Sequence, residues 1–207
     1  MEMGFSFNLP APSDALSYLR GLTPVSQNIY DGIDVEYRKN VFVVPGIDDY
    51  QLVAKILAEL VEAMQNGAPQ RKFDASVNKL TDEVGMERIA DDILNTVYNT
   101  YTQKSYSLIR YRQMREPDTM RVLPFWQYMT MGDDRVRPEH AVLDGFVARA
   151  IDPVWHKIYP PNGFNCRCHV IALLAREAPK DANESGLLRL PLLAQMKVPE
   201  SGFGKVF

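Results

Sequence analysis

Cysteine, histidine and tryptophan are scarce in this sequence, with two, three and two copies in 207 residues. Two cysteines exclude the disulfide framework that holds small secreted domains together, and they fit a reducing, intracellular setting. Charge of one sign is missing too. A formal net charge of −3 gives no global electrostatic case for a nucleic-acid or membrane binder. No apolar run approaches a transmembrane length, and the N-terminus MEMGFSFNLPAPSDA lacks the basic and apolar regions of a signal peptide. Repeats and low-complexity tracts are absent. What remains is an ordinary globular composition, 46% hydrophobic and 24% charged, in a chain long enough for one good core or two small ones.

In chain order, residues 1–12 read as an extended arm, since Pro10 and Pro12 disfavour a helix. Ser13 is the expected cap of a short helix from Asp14 to Arg20, ended by Gly21 and Pro24. Residues 25–47 have no decided pattern, and Val41 to Val44 fit either a strand or a helix end. Asp48 can cap the next helix, in which Val53, Ile56, Leu57, Leu60, Val61 and Met64 form one apolar stripe before Asn66-Gly67. A second helix follows Pro69, with Phe73, Val77, Leu80 and Val84 on one face. A third starts near Met86 and persists to Arg115. Short connections predict that these helices pack as a bundle.

After Pro117 the texture changes. Phe125 to Thr130 reads as a strand, Gly132-Asp133-Asp134 as a turn, and Pro138 as the first residue of a short helix ending at Leu143. Asp144-Gly145 reads as a hairpin-type turn, Pro160-Pro161-Asn162-Gly163 as a rigid loop, and Cys166 to Leu174 as a second strand. The expected fold class is α+β, a helical N-terminal region followed by a compact C-terminal region with a small sheet and short helices. Its divisions are an arm with a short helix (1–47), a helical region (48–116) and a motif region with a C-terminal tail (117–207).

All the histidines, cysteines and tryptophans fall between Phe125 and Ile171. On a strand Cys166 and Cys168 share one face, while Arg167 and His169 take the other. Strand geometry disfavours a disulfide between them. Two readings stay open: buried thiols acting as small hydrophobes, or two ligands of a structural zinc with His140 as the third. His156 or Asp144 is then better placed than His169 to be the fourth. An enzyme reading uses His140 with Arg135, Arg137, His156 and Arg167 on a phosphodiester. No nucleophile elbow, phosphate-binding loop, zinc-protease helix or dinucleotide fingerprint supports it, so the expectation is a protein that is not an enzyme. Arg135 and Arg137 bracket Asp133-Asp134 and are expected to form local salt bridges. Trp126 and Trp155 are expected core or interface anchors, with Asp152-Pro153 starting the turn that presents Trp155. Upstream, Lys104, Arg110, Arg112, Arg115 and Arg121 form a basic run. It reads either as cations near a helix C-terminus or as a contact surface for DNA or an acidic partner.

The run GDDRVRPEHAVLDG, the Trp155 segment and YPPNGFNCRC resemble the head-morphogenesis domain of tailed phages, the Mu F-like and SPP1-type minor head protein family. The resemblance rests on Asp134, Arg135, Arg137, Pro138, His140, Leu143 and Gly145, then Trp155, Pro160, Pro161, Gly163, Cys166, Arg167 and Cys168, in order. Weaker likeness extends to YNTYTQKSYSLIRYRQM, to Phe125–Thr130 and to Gly202-Phe203-Gly204. The resemblance implies a minor head component inside the virion, reached through the host cytoplasm during assembly. It implies association with the portal protein, contacts with major capsid or scaffolding protein and packaged DNA, a role in DNA packaging or ejection, and no membrane. Longer family members carry further domains, for which this sequence is expected to have no room. A nuclease or transferase-like enzyme using His140 and nearby arginines is the alternative.

Overall fold

Apolar spacing in the sequence becomes buried faces in a computed structural model, which describes residues 11–34 and 37–186. The arm before Ala11, the Gly202-Phe203-Gly204 element and the C-terminal tail lie outside the described residues. The fold is α+β, as expected. It divides into two compact units, the first through Ser105 and the second from Tyr106. No helix among the described residues is long and apolar enough to cross a membrane.

In the first unit, α1 (Ser13–Arg20) and α3 (Tyr50–Gln65) pack together, and α4 (Gln70–Glu83) packs on α3. The predicted stripe supplies the core, with Val53, Ile56 and Leu60 fully buried beside Leu19, Phe73 and Val77. Two caps differ from expectation. Ser13 is the first helical residue and makes no capping bond. Asp49, not Asp48, caps α3, accepting from the backbone N–H of Gln51 at 2.8 Å and of Leu52 at 3.1 Å. Asp48 instead accepts from the N–H of Asn28, next to α2 (Gln27–Gly32). The undecided stretch, 25–47, holds α2, a 3-10 turn at Arg38–Asn40 and β2 (Val41–Phe42), which pairs in parallel with β1 (Thr23–Pro24) just before it. Two residues per strand are too few to leave an alternation in sequence.

Helix α5 runs Asp91–Arg115 and contributes its residues to Ser105 to this unit. It begins five residues later than Met86 because Asp91-Asp92 suit the positive end of the helix dipole, while Ile89 is buried before the helix starts. Its Tyr101 ring lies 4.4 Å from that of Phe42, and its hydroxyl accepts the Val43 N–H at 2.8 Å. Burial removes water from that N–H, so Tyr101→Phe leaves an unpaired donor and is expected to destabilise the fold by about 1–3 kcal/mol in denaturant titration.

Lys104, one turn further on, is 3% exposed. Burial holds its ammonium down to about 8 from an ordinary 10.5. Between those values the unfolded chain keeps a proton that the folded chain has released, so the Lys104 contribution to stability rises with pH across that window and its burden is complete at neutral pH. Lys104→Met is therefore expected to raise stability at pH 7 by roughly 1–3 kcal/mol and to abolish the rise between pH 8 and 10.5. Unfolding curves collected across that range check both.

The second unit contains the rest of α5, then α6 (Pro117–Val122), β3 (Phe125–Met129), α7 (Pro138–Ala141), β4 (Val147–Arg149), α8 (Trp155–Ile158) and β5 (His169–Leu173). An antiparallel sheet orders them β4-β3-β5, with Phe125 opposite Arg149 on one side and Leu173 on the other. Trp126 and Tyr128 face a core that holds Tyr111, Leu143, Trp155, Tyr159 and both cysteines, whereas Phe125 packs with Val147 and Ala182. Trp126 is fully buried, its ring 5.5 Å from Trp155 and 5.6 Å from both Tyr111 and Tyr159.

Helix α6 and strand β4 were not anticipated. The first carries Pro117 at its start and Arg121 in its last turn; the second is too short to show a period. Asp144-Gly145 is not a two-residue hairpin. It follows α7 and leads into β4, with Gly145 at φ +74° donating its N–H to the Tyr128 carbonyl.

Candidate metal centre

Strand β5 begins at His169, so Cys166 and Cys168 precede it rather than sit on it. Asn165 adopts φ +55°, and the Cys166 N–H donates to the Gly163 carbonyl at 3.2 Å, turning the chain just before the ladder starts. Asparagine tolerates that left-handed conformation better than most residues. The turn, not strand alternation, aims both sulfurs at His140. Its Nδ1 lies 3.7 Å from the Cys166 Sγ and 3.7 Å from the Cys168 Sγ.

His140 comes from α7, which Pro138 starts as expected. The histidine is 2% exposed and each cysteine 3%. Donor atoms of the three lie within 4.8 Å of one another, and no fourth His, Cys, Asp or Glu among the described residues joins them. His156 is exposed on α8, and Asp144 accepts from the N–H and hydroxyl of Thr130. His169 is half-buried on β5, where burial and Arg110 disfavour its protonation.

Two arginines tie the loops together. Arg137 donates to the Phe164 carbonyl at 2.8 Å, joining the start of α7 to the cysteine loop. Arg167 makes a two-pronged ion pair with Asp133 at 2.6 and 2.7 Å. Of the expected local salt bridges, Arg135 to Asp133 is present at 3.4 Å. The Arg167 guanidinium beside Asp133 holds that carboxyl down to about 2. Asn162, fully buried, donates to the Tyr128 hydroxyl at 3.1 Å and to the Ile158 carbonyl at 2.8 Å. Neither the long-range Asp133 pairing nor the Asn162 brace was legible beforehand. Both residues looked like turn formers, and only the folded chain shows their partners.

Electrostatics at the sulfurs are asymmetric. The Cys168 thiol, the His140 ring and backbone groups of Asn162 and Cys168 hold the Cys166 thiol below its ordinary range. That neighbouring sulfur and burial push Cys168 up. The His140 Nε2 is buried with no hydrogen-bond partner among the described residues. Two thiols and one imidazole form a soft donor set of the kind that suits zinc.

The expected basic surface divides differently. Lys104 is buried in the first unit and offers no exposed cation. In the second unit Arg110 donates to the Val170 carbonyl at 2.9 Å and Arg115 to that of Ala150 at 3.0 Å. Arg112 is exposed, and exposed Arg121 pairs with Asp118.

If Arg137 is the brace that holds the cysteine loop on α7, Arg137→Ala removes a charge-assisted bond worth about 1.5–3 kcal/mol. The expected outcome is faster amide exchange at residues 164–168 than at the β3–β5 ladder. Equal protection in both segments would show that the loop is held by other means.

The family model for Phage Mu protein F like protein matches residues 54–171, a span that begins in α3 and contains His140, Cys166 and Cys168. The chain is 31% identical over 196 residues to the "Putative capsid assembly protein F" of Escherichia phage Mu, covering 84% of this chain and 43% of that protein. It is 28% identical over 161 residues to the "Mu-like prophage FluMu F protein" of Haemophilus influenzae, covering 72% and 38%. An uncharacterized protein of Methanocaldococcus jannaschii is 28% identical over 123 residues, 56% of this chain and 17% of its own length. The chain thus spans less than half the length of these curated relatives. No solved structure matches it.

Proposed function

The chain belongs to the Phage Mu protein F like family, and from that premise we propose that it is a minor head component working in phage capsid assembly. The observation that carries this reading is 31% identity, across 84% of the chain, to a protein named for capsid assembly. The proposed partner is the portal protein. Major capsid or scaffolding protein and packaged DNA are further proposed contacts, and a part in DNA packaging or ejection goes with them. The proposed place is inside the head, after assembly in the host cytoplasm.

Two features support an assembly role over the nuclease or transferase-like alternative. A general acid or base has to reach its substrate, and His140 is 2% exposed with Nδ1 turned to two sulfurs. Of the arginines that would clamp a phosphodiester, Arg137 and Arg167 already brace loops. A DNA or portal contact falls to the exposed cations Arg110, Arg112 and Arg121, with Arg115 beside them; Lys104 drops out of it.

Co-expression with the portal protein, followed by affinity purification and size exclusion, tests the partner. The expected result is co-elution, together with fewer DNA-filled heads when the gene is silenced in its phage. Separate elution and a normal yield of filled heads would sink the reading. For DNA, the expected signature is an affinity that falls steeply with salt and weakens when Arg112 and Arg121 are made neutral. Binding that ignores salt would remove DNA from the proposed contacts.

A further inference from the structure

Zinc bonds of about 2.3 Å to sulfur and about 2.0–2.1 Å to imidazole, at tetrahedral angles, place sulfur and nitrogen about 3.6 Å apart. Both sulfur–nitrogen separations at His140 are 3.7 Å. Both contacts therefore match the sulfur–nitrogen edges of a zinc tetrahedron, on loops fixed by Arg137 and by the Arg167–Asp133 pair. The fourth vertex is the informative one. No fourth ligating side chain joins among the described residues. Beside the three donors lies a cavity of about 10 Å³, close to the room of one water molecule, lined by His140, Cys166, Cys168, Arg135, Arg137 and Arg167 among others.

We propose that His140, Cys166 and Cys168 hold one zinc ion whose fourth position opens into this cavity and takes a small exchangeable anion, with a carboxylate the favoured class. Structural zinc sites are closed by four protein ligands; three ligands and a solvent-reachable position define a site that exchanges its fourth ligand. Charge selects the ligand. Two thiolates cancel the two positive charges of the ion, so an anion in the fourth position leaves the centre one unit negative. Three arginines line the cavity, Arg135, Arg137 and Arg167, and the Asp133 carboxylate that pairs with two of them is not in the lining. Guanidinium donors favour carboxylate oxygens. Loading the ion releases the thiol protons to solvent, and anion entry displaces one water. This proposal stands independently of the assembly role.

The test uses the full chain. Elemental analysis of purified protein is expected to find one zinc per chain. Cobalt(II) exchanged for zinc is expected to give the strong visible bands of a tetrahedral thiolate site, and acetate to shift them saturably. Cys168→Ser keeps a small polar side chain in place, and it is expected to lose about half of the sulfur-to-cobalt absorption, one of two thiolates. Arg135→Gln, at an exposed position, is expected to weaken acetate by about tenfold. Protein that neither retains zinc nor takes up cobalt overturns the proposal. Cobalt bands that acetate and azide leave unmoved show a fourth position closed by the chain itself, which overturns the open site. An unchanged acetate affinity in Arg135→Gln removes the arginine's part in choosing the ligand.

Discussion

A ring nitrogen of His140 sits 3.7 Å from two sulfurs beside the aromatic core of the second unit, and that contact dictates how the neighbouring chain is built. A buried imidazole is costly unless its polar atoms find partners. The helix that carries it has four residues, too few to be stable alone. Its position is therefore imposed from outside. Arg137 fastens its start to the Phe164 carbonyl, and Leu143, just beyond its end, is fully buried in the core around Trp126. The cysteine loop is held in the same way, by Arg167 on Asp133 and by Asn162 between Tyr128 and Ile158.

Both units meet the demands of buried backbone groups with side chains from distant elements. In the first, a helix-borne hydroxyl, that of Tyr101, takes up the N–H of Val43. In the second, arginines bridge elements beside buried side chains such as Asn162 and Asp152. Arg110, Arg115 and Arg137 each donate to a loop or strand carbonyl, those of Val170, Ala150 and Phe164. A guanidinium is suited to this because its donors are fixed in a plane and its charge survives partial burial. A basic run that reads as one solvated face is thus divided between buried, bracing and exposed side chains.

The long helices were legible because three or more turns of period 3.6 leave a clear stripe; Val53, Ile56 and Leu60 predict their own burial. Strand β3 was legible from its aromatic alternation, with Trp126 and Tyr128 on the core side. Short elements were not, since Thr23–Pro24 and Val147–Arg149 hold too few residues for any period. The convergence of His140, Cys166 and Cys168 could be suspected from composition, because scarce residue types fall together in one stretch. The reason first offered, alternation along a strand, is not the one that operates. The turn at Asn165 does it, and a left-handed asparagine leaves no mark beyond its identity. Partners distant in sequence, such as Asp133 and Arg167, were hidden for the same reason that loops are hard to read: nothing local fixes where a loop ends in space.

Burial as small hydrophobes accounts for the two cysteines taken alone, since free cysteine is commonly buried. It does not account for their surroundings. Apolar packing gives no reason to place an imidazole nitrogen equidistant from both sulfurs, at 3.7 Å. Nor does it explain three arginines in the lining of a cavity that both cysteines share. Cations beside neutral thiols gain little, whereas cations beside thiolates and a bound anion gain a great deal in a site that excludes most water. An arginine rim is thus stabilising when the sulfurs carry charge and an anion sits before them, and a metal ion is what lets both sulfurs carry charge at once. The arrangement of charge, more than the identity of the cysteines, is what favours a metal centre over a thiol-filled core.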